Sequence, residues 1–251
     1  MGWRMNGWGL QTVNRFARST PWLHGVIYDY ATYGIVLFAG LILAGWWIAR
    51  RHADTPMLAA VISTGVATLV AVAVNQPIVA AVHEARPYTT HPTMLVLADR
   101  STDFSFPSDH ATMAGAVAVG LLIASRRLGL LAVAAAVIMA FSRVYIGAHY
   151  PQDVLAGLAL GAIAAVCVYW LTRSILMRVV RAVGNTRLRP LIAVGHPVVK
   201  APTRPHTDYQ LRYEVASNQA KANMDQLPGS PTLSTANNHD FASPQSDGIA
   251  Q

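Results

Sequence analysis

An arginine, a histidine and an aspartate stand at fixed offsets between Ser142 and Asp153, in a segment that separates two apolar runs. Arg143 presents a planar guanidinium fork whose donors suit the oxygens of a phosphate. His149 is a nucleophile or a base whose charge changes near neutral pH. Asp153 follows four residues later, so on a helical turn its carboxylate can hold one ring nitrogen of His149 and leave the other free. The spacing suits phosphoryl transfer, although a polar cap between two helices has the same residue types.

Two further stretches carry polar residues at the ends of apolar segments. Pro107-Ser108-Asp109-His110 opens one segment, and Arg86-Pro87 closes the segment before it. A helix that begins at Ser108 would offer free N–H groups and the positive end of its dipole, both of which favour a bound phosphate. Asp109 is unfavourable beside a phosphate unless its side chain turns away or caps the helix.

In this order, the motifs Arg-Pro, Pro-Ser-x-His and Ser-Arg-x5-His-x3-Asp resemble those of the type 2 phosphatidic acid phosphatase family, which shares its phosphate site with the vanadium haloperoxidases. The likeness covers Arg86 to Asp153, and the helical pattern extends it to about residues 30–175. Asp109, where many members have glycine, is similar to the bacterial undecaprenyl-diphosphatase-like branch. Val79 stands seven residues before Arg86, where the family has a lysine.

The resemblance implies catalytic roles, because spacing alone leaves the two histidines interchangeable. His149 is expected to attack phosphorus and form a phosphohistidine that water then hydrolyses. Asp153 is expected to orient the ring of His149, and His110 to protonate the leaving oxygen as the general acid.

The same resemblance implies that Arg86, Arg143 and the helix start at Ser108 hold the negative charge of the phosphate. Asn75 and Gln76 lie about three helical turns before Arg86. We expect one of them to replace the missing lysine in part, and a simple hydrogen bond between helices is the alternative. The sequence contains no carboxylate cluster that suggests a metal site, so we expect metal-independent hydrolysis without a cofactor.

The composition indicates an all-α, integral membrane helical bundle. Hydrophobic residues make up 53% of the 251 residues and charged residues 12%, with a mean hydropathy of +0.34. Soluble domains carry about 25% charged residues. Five spanning helices are predicted, near residues 30–49, 56–82, 108–125, 128–142 and 151–170. The pattern of residues 1–28 predicts an amphipathic helix that lies in the membrane interface and is broken at Asn14 and at Ser19-Thr20-Pro21. A sixth membrane span is the alternative for this segment.

The domain prediction therefore has three parts: the interfacial segment 1–28, a transmembrane catalytic domain 29–183, and a polar, largely disordered cytoplasmic tail 184–251. Arg50-Arg51, Arg126-Arg127 and the basic residues after Trp170 fall on one side of a five-span bundle. The positive-inside rule makes that side the cytoplasm, so the three motifs are predicted to face outward from the plasma membrane. The net charge of +7 is interpreted as topology and lipid contact rather than nucleic-acid binding.

The predicted activity is hydrolysis of a lipid phosphate whose tail stays in the bilayer. The resemblance of Pro-Ser-Asp-His to the undecaprenyl-diphosphatase-like branch, with the five-helix layout, implies an isoprenoid substrate, undecaprenyl or decaprenyl diphosphate, that is cleaved to the monophosphate. A glycerolipid phosphate, either phosphatidic acid or phosphatidylglycerol phosphate, is the first alternative. A vanadate-dependent haloperoxidase and a non-catalytic membrane scaffold are the other two. The sequence leaves the chain length, the headgroup and the oligomeric state open.

Overall fold

The computed structural model describes residues 2–193 and 213–220. The chain divides into two compact units, residues 1–196 and residues 197–251. In the second unit, residues 213–220 are helical and exposed. Most of the predicted polar tail lies outside the described residues.

The first unit is built of helices joined by short turns and by one long connection, residues 83–108, which includes a single short helix. Their bounds are α1 Gly2–Ser19, α2 His24–Tyr33, α3 Ile35–Arg51, α4 Thr55–Val82, α5 Pro87–Thr90, α6 Asp109–Ala124, α7 Arg126–Tyr145 and α8 Pro151–Gly184, with single 3-10 turns at Pro21–Leu23 and Arg189–Leu191. No strand occurs in the residues that the structure describes, and the all-α prediction is confirmed.

Several of these helices are long and apolar enough to cross a bilayer. The segment Thr55–Thr90, α7 and α8 each meet that requirement, and α2 with α3 forms a further candidate span bent by 55°. Helix α6 is apolar but shorter, with 16 residues. The chain is therefore a multi-pass membrane protein. The figure of five spans stays a prediction.

Small residues let α6 and α8 approach each other closely in the centre of the bundle. A Cβ atom placed on Gly157 of α8 would lie 2.6 Å from the main-chain oxygen of Ser108. A Cβ atom on Gly161 would meet the main-chain oxygen of Thr112, and one on Gly115 that of Leu158. The Gly157-x3-Gly161 spacing therefore brings the backbones of two helices into contact. The contact sets the start of α6 beside the start of α8.

Two predicted helices differ in extent from those in the structure. The helix predicted over residues 30–49 is bent at Gly34, where a Cβ atom would meet the oxygen of Tyr30 and the Cε of Met139. The last helix continues past Trp170 to Gly184, because the arginines that end a span do not disfavour a helix.

Asn14 does not break α1, which contradicts the prediction. Its side chain is buried, and its amide donates to the oxygen of Leu95 at 2.7 Å while its carbonyl accepts from the Leu95 nitrogen at 3.1 Å. The long connection therefore satisfies both ends of the amide, so the side chain does not compete with the hydrogen bonds of its own helix.

Candidate active site

A cavity of about 610 Å³ opens where the ends of α4, α6 and α7 meet the long connection. Its lining includes Arg86, Asp109, His110, Arg143 and His149. The three sequence motifs are far apart along the chain, and the fold brings one or more residues of each to the same cavity. Gln76 and Val79 of α4 also line it.

The ring of His149 is held so that one nitrogen faces the cavity. Its Nδ1 lies 2.8 Å from the main-chain oxygen of Ser105, which can only accept, so we assign the proton to Nδ1. Its Nε2 then carries the lone pair, and lies 3.4 Å from Nη1 of Arg86 and 3.4 Å from Nη2 of Arg143. The unprotonated nitrogen therefore stands between two guanidinium groups.

Burial and the two arginines keep His149 neutral. The side chain is almost wholly buried, and burial disfavours the charged imidazolium. Burial first, and then the positive charges of Arg143 and Arg86, lower the pKa of His149 well below its usual value of 6.5. A neutral imidazole is the nucleophilic form, so the site holds the reactive state near neutral pH.

Asp153 lies near His149 without making the closest contact to it. Its Oδ2 is 3.6 Å from Nδ1 of His149. The same oxygen accepts a hydrogen bond from the hydroxyl of Ser105 at 2.5 Å and from the main-chain nitrogen of Tyr150 at 2.8 Å. The predicted orienting contact is thus made by the carbonyl of Ser105, and the carboxylate instead caps the first turn of α8.

Sequence reasoning missed Ser105. It precedes the Pro-Ser-Asp-His motif by one phenylalanine and is fully buried. The contact with the ring comes from its main-chain oxygen, and every residue type has one, so residue type gives no signal for it. Its hydroxyl contact with Asp153 is the part that only a serine or a threonine supplies among small residues.

Both arginines are anchored by main-chain oxygens and remain available to an anion. Arg86 donates from Nε to Asp103 at 2.9 Å and from Nη1 to Ala148 at 3.2 Å. Arg143 donates from Nη1 to Ala31 at 3.2 Å, and its buried Nε has no hydrogen-bond partner. Among residues 2–193 and 213–220, no carboxylate oxygen lies within 4.0 Å of either guanidinium group. Neither arginine is therefore neutralised by a paired carboxylate in that part of the chain.

His110 and Ser108 occupy different positions relative to the cavity. His110, in the first turn of α6, is partly buried and lines it. Ser108 is wholly buried beneath the lining, and its hydroxyl has no hydrogen-bond partner. The main-chain nitrogen of Ser108 donates to the oxygen of Asp153 at 3.1 Å. Ser108 does not line the cavity in this geometry, and its contact with phosphate stays a prediction.

Asn75 and Gln76 both contact Asp109. The amide of Asn75 donates to Oδ1 of Asp109 at 2.6 Å and to the oxygen of Pro107 at 3.2 Å. The amide of Gln76 donates to the same Oδ1 at 3.0 Å. Both amides therefore form hydrogen bonds between helices, which is the alternative to replacing the missing lysine. A carboxylate is a stronger hydrogen-bond acceptor for an amide than a neutral group is. The structure brings Gln76 to the cavity and leaves Asn75 buried behind it.

The comparisons with known proteins point to one family. The profile described as the PAP2 superfamily matches residues 60–176. The chain is 36% identical over 141 residues to the undecaprenyl-diphosphatase BcrC of Bacillus subtilis (strain 168), which covers 56% of this chain and 70% of that protein. The chain belongs to the PAP2 superfamily, and it is a phosphatase.

Two further likenesses are more partial. The chain is 47% identical over 73 residues to the decaprenylphosphoryl-5-phosphoribose phosphatase of Mycobacterium tuberculosis (strain ATCC 25618 / H37Rv), which covers 29% of this chain and 40% of that protein. The crystal structure of the PAP2 type phosphatidylglycerolphosphate phosphatase from Bacillus subtilis superposes with a TM-score of 0.45 at 22% identity, over 66% of this chain and 86% of that chain.

Proposed function

We propose that this phosphatase removes the terminal phosphate of a polyprenyl diphosphate, undecaprenyl or decaprenyl, and leaves the polyprenyl monophosphate. The observation that carries the proposal is the position of Nε2 of His149, 3.4 Å from a guanidinium nitrogen of both Arg86 and Arg143. A terminal phosphate placed there presents its oxygens to the two guanidinium groups and its phosphorus to the lone pair. The relative named as an undecaprenyl-diphosphatase supports the isoprenoid class.

In the first step, Nε2 of His149 forms a bond to the terminal phosphorus while the bond from phosphorus to the bridging oxygen breaks. The electron pair of that bond leaves with the polyprenyl monophosphate, and His110 donates a proton to the leaving oxygen. The negative charge of a bound diphosphate favours the protonated form of His110, which then is the general acid. Nδ1 of His149 keeps its proton, which the carbonyl of Ser105 accepts.

In the second step, water attacks the phosphohistidine and gives up a proton to His110. Inorganic phosphate leaves, and Nε2 of His149 regains its lone pair. Asp153 is a positioning residue in this scheme, because its carboxylate contacts the hydroxyl of Ser105 and the start of α8. Gln76 lines the cavity wall, while Ser108 and Asn75 support the start of α6 from behind it.

We place the protein in the plasma membrane with the cavity facing the extracytoplasmic side. The support is the distribution of basic residues, since Arg50, Arg51, Arg126 and Arg127 stand at the helix ends opposite the motifs. The polyprenyl chain stays in the bilayer while its diphosphate reaches the cavity at the helix ends.

Phosphate release from purified, detergent-solubilised protein tests the proposal. Undecaprenyl diphosphate should be hydrolysed at least about tenfold faster than three other lipids: undecaprenyl monophosphate, phosphatidic acid and phosphatidylglycerol phosphate. A tenfold ratio of rates corresponds to a difference of about 1.4 kcal/mol in free energy. His149→Ala should lower turnover by about a hundredfold or more, the lower range for one catalytic group. His52→Ala, an exposed histidine after α3, is the matched control and should leave turnover unchanged.

Faster hydrolysis of phosphatidic acid or phosphatidylglycerol phosphate would assign the chain to the glycerolipid phosphatases instead. Turnover near the wild-type value in a folded His149→Ala protein would refute the nucleophile.

A further inference from the structure

A carboxylate lies inside the cavity that is proposed to bind phosphate. Asp109 lines the cavity together with Arg86 and Arg143. The charge of Asp109 has no cationic partner within 4.0 Å among residues 2–193 and 213–220. A carboxylate without a cationic partner repels an anion bound in the same cavity. The position of Asp109 in this cavity therefore needs a physical explanation.

Two amides fix the carboxylate in this position. Asn75 and Gln76 of α4 both donate to Oδ1 of Asp109, at 2.6 and 3.0 Å. Asn75 is wholly buried, and its own carbonyl is 3.5 Å from the hydroxyl of Thr112, which donates to it. Both amides therefore hold Oδ1 from the side of α4 and fix the orientation of the carboxylate.

The second oxygen of Asp109, Oδ2, receives no hydrogen bond from residues 2–193 or 213–220. All hydrogen bonds to this side chain, within the part of the chain that the structure describes, reach Oδ1. Oδ2 can only accept while the carboxylate is ionised. A phosphate oxygen that carries a proton can donate to it, whereas an oxygen without a proton is repelled.

We propose that Asp109 is a specificity-determining residue that accepts a hydrogen bond from the proton of a bound phosphate, and so selects a protonated phosphoryl group over unprotonated tetrahedral dianions. The inference deepens the proposed function and rests on it for the identity of the anion. A terminal phosphate that keeps one proton brings one negative charge of its own, and the inner phosphate brings a second. Those two charges match the two guanidinium groups.

The groups that face Asp109 come from several elements, and each affects the bound anion. Arg86 of the long connection and Arg143 of α7 attract either anion, protonated or not. His110 on the same helix and His149 before α8 line the same cavity, and the uncharged amides of Asn75 and Gln76 come from α4. Among these groups Asp109 is the one that brings a negative charge, so its oxygen repels an unprotonated phosphate oxygen and accepts a hydrogen bond from a protonated one.

Inorganic phosphate and sulfate provide the test, since both are tetrahedral and only phosphate carries a proton near pH 6. Binding to the full-length protein in detergent is measured from the rise in thermal midpoint with anion concentration, at constant ionic strength. Wild-type protein should bind phosphate at least about tenfold more tightly than sulfate. Asp109→Asn keeps an oxygen for the two amides and places an N–H group toward the anion, so sulfate should bind about as tightly as phosphate.

Asp99→Asn is the matched control. Asp99 lines the same cavity but is exposed to solvent, which screens its charge, and its Oδ2 accepts the hydroxyl of Tyr28 at 2.7 Å, so the preference for phosphate should persist. Asp109→Gly, which removes the carboxylate altogether, should lose the preference as Asp109→Asn does. This second variant keeps the test decisive when the first does not fold.

Equal binding of the two anions by wild-type protein, binding of neither, or an unchanged preference in both Asp109 variants would overturn the inference. The lipid assay is separate. A protein that prefers phosphate through Asp109 but hydrolyses no polyprenyl diphosphate refutes the proposed function and leaves the role of Asp109 in place.

Discussion

The main-chain oxygen of Ser105 lies 2.8 Å from Nδ1 of His149 and is the nearest hydrogen-bond partner of that nitrogen among the described residues. The carboxylate that the sequence offers for this task, Asp153, is 3.6 Å away. A carbonyl acceptor fixes the tautomer as a carboxylate does, but it adds no negative charge beside the ring. The nucleophile is therefore oriented by a neutral dipole, and its charge state is set by burial and by the two arginines.

Replacement of Ser105 by alanine separates the two functions of that residue. The main-chain contact to His149 persists, so the rate of phosphate release should fall by less than about tenfold, far less than for His149→Ala. Asp153 loses the hydroxyl donor in a buried position, which should lower the free energy of unfolding by about 1–3 kcal/mol. Thermal denaturation and phosphate release from the same preparation check both. A loss of turnover equal to that of His149→Ala would mean that the hydroxyl itself is required.

The stability of the protein should depend on pH through His149. Its pKa in the folded state lies below the unfolded value of 6.5, because burial and the two arginines disfavour the imidazolium. As pH falls below about 6.5, the unfolded chain binds a proton that the folded chain does not, so the folded state loses stability. Stability from this group is full above 6.5 and declines below it.

Thermal midpoints of wild type and His149→Gln between about pH 8 and pH 5 measure this effect. The wild-type midpoint should fall more steeply toward low pH than that of His149→Gln, which cannot titrate at this position. Parallel curves would show that the native environment does not disfavour the charged ring.

Gly157→Ala should disturb the contact between α6 and α8. The added Cβ atom would lie 2.6 Å from the main-chain oxygen of Ser108, and a backbone atom cannot swing away. Overpacking of this kind costs about 1–3 kcal/mol. Turnover should fall as well, because the displaced first turn of α6 carries His110. Gly65→Ala in α4 is the control, because its Cβ atom meets nothing within 4 Å. A thermal midpoint for Gly157→Ala equal to that of Gly65→Ala would contradict the close contact.

Single cysteines test the side of the membrane. Thr90→Cys near the cavity and Ser217→Cys in the helical residues 213–220 are made in a Cys167→Ser background and treated with a membrane-impermeant thiol reagent on intact cells. Thr90→Cys should be labelled and Ser217→Cys protected until the membrane is opened, because the basic helix ends orient toward the cytoplasm. The reverse pattern would place the cavity on the cytoplasmic side.

The sequence was enough to predict the helical membrane fold, and it placed Arg86, His110, Arg143 and His149 in motifs that line one cavity. Apolar runs predict helices that can cross a bilayer, while the number of spans stays a prediction. The partners of Asn75 and Asn14 were not predictable, because an amide on a helix gives no indication of which distant segment will satisfy it. Asp153 was assigned to the ring by its spacing, and only the structure shows its competing use at the start of α8.

The two hydrogen bonds between Asn14 and the main chain of Leu95 connect helix α1 to the surroundings of the candidate site. The same connection continues to Leu97 and Ala98, whose main-chain nitrogens donate to the oxygen of Ile146 at 3.0 Å. Helix α1 lies before residues 60–176, the region that the family profile matches. Two hydrogen-bonded steps nevertheless connect it to a residue three positions before His149. The hydrogen-bonded framework around the candidate nucleophile therefore extends beyond the region that the profile matches.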